Sequence, residues 1–528
     1  MERRPRAVFM AFGTKGDVYP LAAIAAVLVS DQKHYQVVFI THAEHQDLGT
    51  HLTANGAAYI PVSTPSVLSA HQFEITSDDP KTMSFAKCKK KMQTKHKQES
   101  LSAFEKAMGD QSIVKGDFVV INFFALEGWN LAELYQIQCV VASPYVVPYS
   151  APSLFESCFK KEIPLLHKYF HETSANEVCW NDVLHWMWPL FTEEWGTWRN
   201  DCLHLSSLPF LDPVTNLPMW HTRCKSPLLL YGFSKEIVEC PGYWPSNSHA
   251  CGFWFLPLDW QFSCSQCRER FSSISFKYSM KINVLCENHA ELHNFCINAS
   301  SSCLPIFVGL SSTGSMGFIR NTEAFLSVLK AVIKTTSHRF VLFSAGYEPL
   351  DTVIEMISGA SSSSNLSKQE CSKGCTLLLM TSSFVFLALF HISGFFQDVL
   401  LHFIMAEVDQ LLLHFMLVSL RFSFTESLTL YLIICPFILD QFYWAERLYW
   451  LGVAPHPLER QYVVPESNDA ASIKKASDML SKAISLALSP PIKKQALEIA
   501  EKVSVEGGVT EALKVLKEQV IFAAGDGN

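Results

Sequence analysis

Charge is scarce in this chain, and what there is does not cluster by sign. Of 528 residues, 17% are charged and 49% hydrophobic, and the formal net charge is −8. A nucleic-acid partner requires a concentrated excess of Lys and Arg, so that class is excluded as the main one. The amino-terminal Met1-Glu2-Arg3-Arg4-Pro5-Arg6 runs straight into an apolar strand pattern with no separate apolar region before a cleavage site. No secretory signal is therefore expected, and the reading places the protein in the cytoplasm. Its 16 cysteines are then expected as thiols, and the N-glycosylation patterns at Asn298 and Asn365 as unused. A clean membrane span is also missing. The apolar run 384–420 is broken by Gln397, Asp398, Glu407 and Asp409, leaving no uninterrupted stretch of about 20 residues.

What is present is an alternation of short apolar runs with helical patterns. Ala7–Phe12, Gln36–Thr41, Phe118–Ile121 and Cys139–Ala142 read as buried parallel strands, and Leu21–Val29 as a helix between the first two. Leu228–Gly232 and Gly252–Leu256 read as the last strands before a boundary. The pattern restarts with Pro305–Leu310, a helix over Ala324–Lys334 and a strand over Arg339–Phe343. Strands separated by helices predict parallel α/β sheets, and the length fits two such domains. The predicted division is an amino-terminal Rossmann-like domain over 1–258, a Ser/Cys-rich linker or insertion over 259–303, a second Rossmann-like domain over 304–470, and carboxy-terminal helices over 471–528.

Two segments carry dual readings. Residues 150–225 hold Trp180, Trp186, Trp188, Trp195, Trp198 and Trp220, which suit either a helical layer using aromatics as core or an apolar ligand cleft. The basic tract Lys87-Cys88-Lys89-Lys90-Lys91, with Lys95 and Lys97, reads as solvated loop, or as a contact with an anionic membrane surface.

Two constellations point to chemistry. The first is Gly13-Thr14-Lys15-Gly16-Asp17-Val18-Tyr19-Pro20, between a strand and a helix. Gly13 and Gly16 permit a tight turn, Thr14 completes the loop, and the following helix start suits a polar ligand. Asp17 there is either a first-turn helix carboxylate or a working acid–base group. The second runs from Ile434 through Asp440-Gln441 to Arg447 and on to Gly452-Val453-Ala454-Pro455. A carboxylate beside a carboxamide at a strand's carboxyl end is suited to gripping vicinal sugar hydroxyls.

Both segments resemble signatures of the sterol 3β-glucosyltransferases, plant-type relatives of the natural-product glycosyltransferases. Supporting likenesses are Tyr231-Gly232-Phe233-Ser234, Gly252–Leu256, Val308-Gly309-Leu310-Ser311-Ser312 and Ser344-Ala345-Gly346-Tyr347. The resemblance covers about 10–380 and 433–520. It implies a GT-B fold, two Rossmann-like domains facing across a cleft. It implies inverting transfer of glucose from UDP-glucose, as co-substrate, to a sterol 3β-hydroxyl, with no other cofactor and no catalytic metal. By that resemblance Asp17 is the catalytic base, and Ser311, Ser312, Tyr347, Asp440 and Gln441 bind the donor. A sterol acceptor implies reversible peripheral contact with a membrane surface.

One stretch departs from the family. Where relatives carry a His-His-Gly-Gly-small-Gly-small-Thr phosphate loop, residues 405–420 contain no glycine. A loop without glycine cannot bring its backbone close to a pyrophosphate. Back-translated and read one nucleotide earlier, Met405–Gln410 becomes compatible with His-Gly-Gly-Ser-Gly-Ser. The expectation is a frame error over about 385–420, with 421–432 as extra sequence restoring the frame; a buried helix in a diverged, non-catalytic protein is the alternative. Finally, Cys264-x2-Cys267 and Cys286-x2-His289 lie 18 residues apart. The spacing suits structural zinc, or simply thiols in a surface insertion.

Overall fold

The computed structural model describes residues 3–67, 85–109, 113–144, 198–205, 227–238, 246–261, 264–273, 286–287, 306–309, 314, 317–336, 338–343, 347–358, 366–368, 377–380, 401–405, 432–437 and 441–522. The chain divides into two compact units. Unit 1 comprises 1–66, 83–255 and 507–528, and unit 2 comprises 67–82 and 256–506.

Unit 1 is built on seven strands: β1 (Arg6–Met10), β2 (Gln36–His42), β3 (Ala58–Val62), β4 (Phe118–Ile121), β5 (Gln138–Ser143), β6 (Leu228–Tyr231) and β7 (Ser248–Ala250). Their order is β3-β2-β1-β4-β5-β6-β7, and every pairing is parallel. All five residues of β1 are buried, as are all four of β4. This is the burial expected of a parallel strand covered on both faces. The order reverses between β1 and β4, so their carboxyl ends form the sheet's topological switch point, where open α/β sheets bind ligands. Helix α1 (Lys15–Asp31) follows β1, α2 (Gln46–Ala54) follows β2, α3 (Phe85–Met108) precedes β4, and α4 (Leu126–Tyr135) follows it.

The basic tract is not a loop: it forms the first turns of α3, with Lys87, Lys89, Lys90 and Lys91 exposed. The helix is explained by its second half. Ser100, Ala103, Phe104, Ala107 and Met108 are buried at spacings of three, one, three and one, a single apolar stripe. The lysines lie on turns that need only stay solvated. Gly252–Leu256 is likewise not a strand; the pairing stops at Ala250, and Gly252 takes a φ of +86°. Trp180, Trp186, Trp188, Trp195 and Trp220 lie outside the described residues. Trp198 is buried, and beside it Arg199 reaches Asn130 at 2.6 Å and grips Glu133 with both guanidinium nitrogens at 2.8 and 3.0 Å. The Arg199 side chain is fully buried, whereas Glu133 is 35% exposed. Arg199→Leu is expected to cost about 3 kcal/mol. That is the low end for breaking a buried pair, because water can resolvate Glu133. Urea unfolding of the variant against wild type checks it; an unchanged midpoint would show that the pair is neutral to stability.

Unit 2 holds six strands: β8 (Ile306–Gly309), β9 (Phe340–Phe343), β10 (Leu366–Lys368), β11 (Leu377–Met380), β12 (Leu401–Met405) and β13 (Leu432–Cys435). The order is β10-β11-β9-β8-β12-β13, parallel throughout except for β10. Within 259–303, expected as linker or insertion, the described residues include most of a 3-10 turn (Leu258–Gln261) and helix α5 (Ser265–Ser273). Helices α6 (Thr322–Thr336), α7 (Glu348–Ser358), α8 (Gln441–Trp450), α9 (Ala470–Ala487) and α10 (Pro490–Ser504) complete the unit. Phe325, Leu329 and Val332 of α6 share one core cluster with Leu480 and Ile484 of α9 and with Ile306 and Val308 of β8. Asp469 starts α9, its carboxylate accepting from the Ala471 and Ser472 N–H groups.

The carboxy-terminal helices divide between the units. Helix α11 (Gly508–Leu516) belongs to unit 1, where Gly508 lies so close to Phe253 that a Cβ would collide with its carbonyl oxygen. Lys517, just beyond α11, pairs with Asp31 at the end of α1 at 2.9 Å. Among the described residues no helix is long and apolar enough to cross a membrane.

Candidate functional site

The switch point of unit 1 is assembled around Asn122, the residue that follows β4. Its side-chain N–H donates to the Phe12 carbonyl at 2.8 Å and the Asp17 carbonyl at 3.1 Å. Its oxygen accepts from the Phe12 N–H at 3.3 Å. One fully buried amide thus ties the loop after β1 to the end of β4. Within that loop Gly13 has φ +102°, and a Cβ there would sit 2.5 Å from Asp17 Oδ2. Only glycine lets the carboxylate fold back so closely.

Asp17 itself accepts from the Thr14 N–H at 2.8 Å and from the Thr14 hydroxyl at 2.9 Å, both on Oδ2. Thr14 is the N-cap of α1, and Asp17 stands at its third position. The carboxylate therefore has the reach-back role of a capping box, satisfying a helix-start donor. It is half-buried, at the carboxyl edge of the sheet.

Sequence reading missed the groups surrounding this loop. His45, buried after β2, donates Nε2–H to the Gly13 carbonyl at 3.1 Å. His42 donates Nδ1–H to the Thr64 carbonyl at 2.7 Å, and His96 Nδ1 meets the Thr64 hydroxyl at 2.7 Å. The His42 and His96 rings lie 5.0 and 4.4 Å from the Phe12 ring and 5.5 Å from each other. Burial, with mutual repulsion at His42, pushes both imidazoles down to about 4, so both are neutral at pH 7. Burial also lowers His45. Lys15 is pushed down to about 8 by burial, against the pull of Asp47 and Glu44. Glu127, in the first turn of α4, is raised to about 7 by burial. The signal for these residues was available: each is polar and lies just past a buried strand or on the stripe of a neighbouring helix.

In unit 2, Gln441 opens α8. It is buried, and its side-chain oxygen accepts from the Phe437 N–H at 2.7 Å, closing the turn after β13. Arg460 steadies the same turn, donating to the Phe437 carbonyl at 3.0 Å. Tyr347 is buried, and its hydroxyl donates to the Ile319 carbonyl at 2.9 Å. Its ring lies against Gly314, where a Cβ would be 2.7 Å away. Tyr347 is thus held between Gly314 and the Ile319 carbonyl. Asp440, Ser311 and Ser312 lie outside the described residues. Strand β12 fills the sheet position between β8 and β13 and ends at Met405, where the glycine-free stretch begins.

The sulfur atoms of Cys264, Cys267 and Cys286 lie within 4.8 Å of one another, while His289 is outside the described residues.

Two α/β units, one with an all-parallel sheet and one parallel except for β10, and a final helix returned to the first: this is the class of protein that the geometry defines. No protein-family model matches the chain, and no curated protein does. Solved structures narrow the class. The glycosyltransferase of kitacinnamycin is 13% identical, with 98% of this chain and 100% of that one covered at a TM-score of 0.54. CalG4, the calicheamicin glycosyltransferase, is 14% identical over 98% of each chain, with a TM-score of 0.53. UGT89C1 of Arabidopsis thaliana, complexed with quercetin, is 13% identical, covering 99% of this chain and 100% of its own at 0.52. The chain has the GT-B glycosyltransferase fold.

Proposed function

We propose that this chain is an inverting glycosyltransferase moving a hexose from a nucleotide-sugar donor to the hydroxyl of a small apolar aglycone. More narrowly, we propose glucose from UDP-glucose and a sterol 3β-hydroxyl. The observation that carries the reading is the switch-point loop of unit 1, within a GT-B fold. A glycine turn, a carboxylate and a buried asparagine meet where such sheets bind ligands. The sterol rests on the sequence resemblance and on the tryptophan-rich 150–225 segment.

In this reading Asp17 removes the acceptor proton as its oxygen attacks the anomeric carbon, and UDP leaves from the opposite face. Asp440 and Gln441 hold the sugar hydroxyls, with Ser311, Ser312 and Tyr347 shaping the donor side. Sterol access proceeds by reversible contact of apolar loops, or of the α3 lysines, with a bilayer surface. The test is product analysis with labelled UDP-glucose and a panel of aglycones: sterol in vesicles, a flavonol, and a macrolide aglycone. A β-glucoside of the sterol is the expected product. A flavonol or macrolide glucoside alone would retain the transferase and discard the sterol.

A second reading is favoured by one observation, the absence of glycine in 405–420. A relative that kept the fold and lost donor binding would carry such a segment. Calorimetry with UDP-glucose separates the cases. The chain as written and a version with the 385–432 frame restored are compared. Binding after restoration only identifies a defective product of a transferase gene. No binding by either sinks the transferase proposal.

A further inference from the structure

We infer that Cys264, Cys267 and Cys286 form a structural zinc site in unit 2, a function separate from any sugar chemistry. The three residues come from two stretches of chain. Cys264 and Cys267 flank the start of α5, with Arg268 N–H bonded to the Cys264 carbonyl at 3.0 Å; Cys286 arrives from 19 residues further on.

The spacing of the sulfurs discriminates between fates. Cys264 Sγ and Cys286 Sγ are 3.8 Å apart. A disulfide would hold sulfurs at about 2.05 Å. Tetrahedral zinc with Zn–S bonds of about 2.3 Å separates its thiolates by about 3.8 Å, the distance seen. The backbone is arranged for thiolates as well. The Cys286 N–H donates to Cys267 Sγ at 3.4 Å. Such N–H···S bonds orient metal-bound thiolates and moderate their charge. The start of a nine-residue helix adds a favourable dipole to the Cys-x2-Cys pair.

Burial supports the same ligand class. Cys267 and Cys286 are 0% and 1% exposed, so a metal here is shielded, as structural zinc sites are. Soft thiolates in tetrahedral geometry select zinc over magnesium or calcium. Binding releases one proton per thiol, three in all from these residues. His289 stands three residues beyond Cys286 in sequence and is a candidate for the fourth position. The role is a staple. Among the described residues, none of 256–261, 264–273 and 286–287 lies in a strand, and a metal would tie α5 to Cys286.

The experiment uses the full chain, expressed with zinc in the medium and purified without chelator. Elemental analysis should give about one zinc per chain, and cobalt(II) added to stripped protein should produce thiolate-to-cobalt charge-transfer absorption. A Cys264→Ser, Cys286→Ser double variant should lose both signals, while Cys88→Ser keeps them. Stripping zinc from wild type should lower its melting temperature, a readout that does not depend on the variant folding. Wild type without zinc or the cobalt band overturns the site. So does a Cys264–Cys286 disulfide in peptide mapping of the purified chain, or full zinc retention by the double variant. An unchanged melting temperature after stripping overturns the structural role.

Discussion

Asp17→Asn is expected to lower kcat for glucosyl transfer by about 10²–10⁴-fold, the usual contribution of a positioned general base. The same change should alter folding stability by less than about 1 kcal/mol, because the asparagine oxygen still accepts from the Thr14 N–H. That split separates the two jobs this side chain can have. A carboxylate that only completes the start of α1 is replaceable by any short acceptor at that position. A base that takes a proton from an attacking alcohol is not, since an amide has no basic lone pair at neutral pH. Turnover of UDP-glucose and the urea midpoint, measured on the same preparations, give the comparison. The frame-restored chain serves if the chain as written does not turn over. An asparagine variant retaining more than about a tenth of wild-type kcat would reduce Asp17 to its capping role.

The second large effect is on acid stability. His42 and His96 have folded-state values near 4 against an ordinary 6.5, because burial opposes their charged forms. Below pH 6.5 the unfolded chain takes up protons that the folded one refuses. The stability these rings contribute is therefore fully present above about pH 6.5 and lost as pH falls toward 4. Each is good for on the order of 3 kcal/mol over that window. His45 adds to the same trend. Glu127 opposes it. Burial raises its carboxyl from 4.5 to about 7, so its buried charge is unfavourable above pH 7, and that penalty is relieved as pH falls. One carboxyl offsets only part of the histidine effect. Denaturant unfolding should show a net loss of about 2 kcal/mol or more between pH 6.5 and 4.5. Glu127→Gln should gain about 2 kcal/mol at pH 8 and steepen the acid loss, since the opposing titration is gone. A variant no more stable than wild type at pH 8 would mean that the Glu127 charge is solvated in the folded chain.

Much of the architecture was readable because buried parallel strands are nearly continuous apolar runs. Phe118–Ile121 was delimited to the residue, and the Ala-rich run after the first glycine loop was found as the middle of α1. What escaped detection has physical causes. Helix α3 begins with lysines, and its apolar stripe emerges only from Ser100 onward, so the local charge concealed the later periodicity. The aromatic run at Gly252–Leu256 has strand composition, but Gly252 takes a φ of +86° and no strand forms from it onward. At the site, glycine spacing pointed to Asp17 and its loop. Asn122 stayed hidden because its partners, Phe12 and Asp17, are more than 100 residues away in sequence. The histidines left only a weak signal, a polar residue at the end of an apolar run or one turn before a helix stripe. Gln441 was legible as a residue but not in its local duty, since only the coordinates reveal its hold on the Phe437 N–H.

Unit 1 is not finished until its final piece arrives. Helix α11 begins at Gly508, after the whole of unit 2 has been threaded, and it packs on residues joined more than 250 positions earlier. A nascent chain can form β1 to β7 long before α11 leaves the ribosome, but until then the surface beside Phe253 stays uncovered. Any lesion that stops translation inside unit 2 therefore harms both halves at once. Such a truncated chain should be captured by chaperones or cleared by proteases rather than persist as a separate amino-terminal domain.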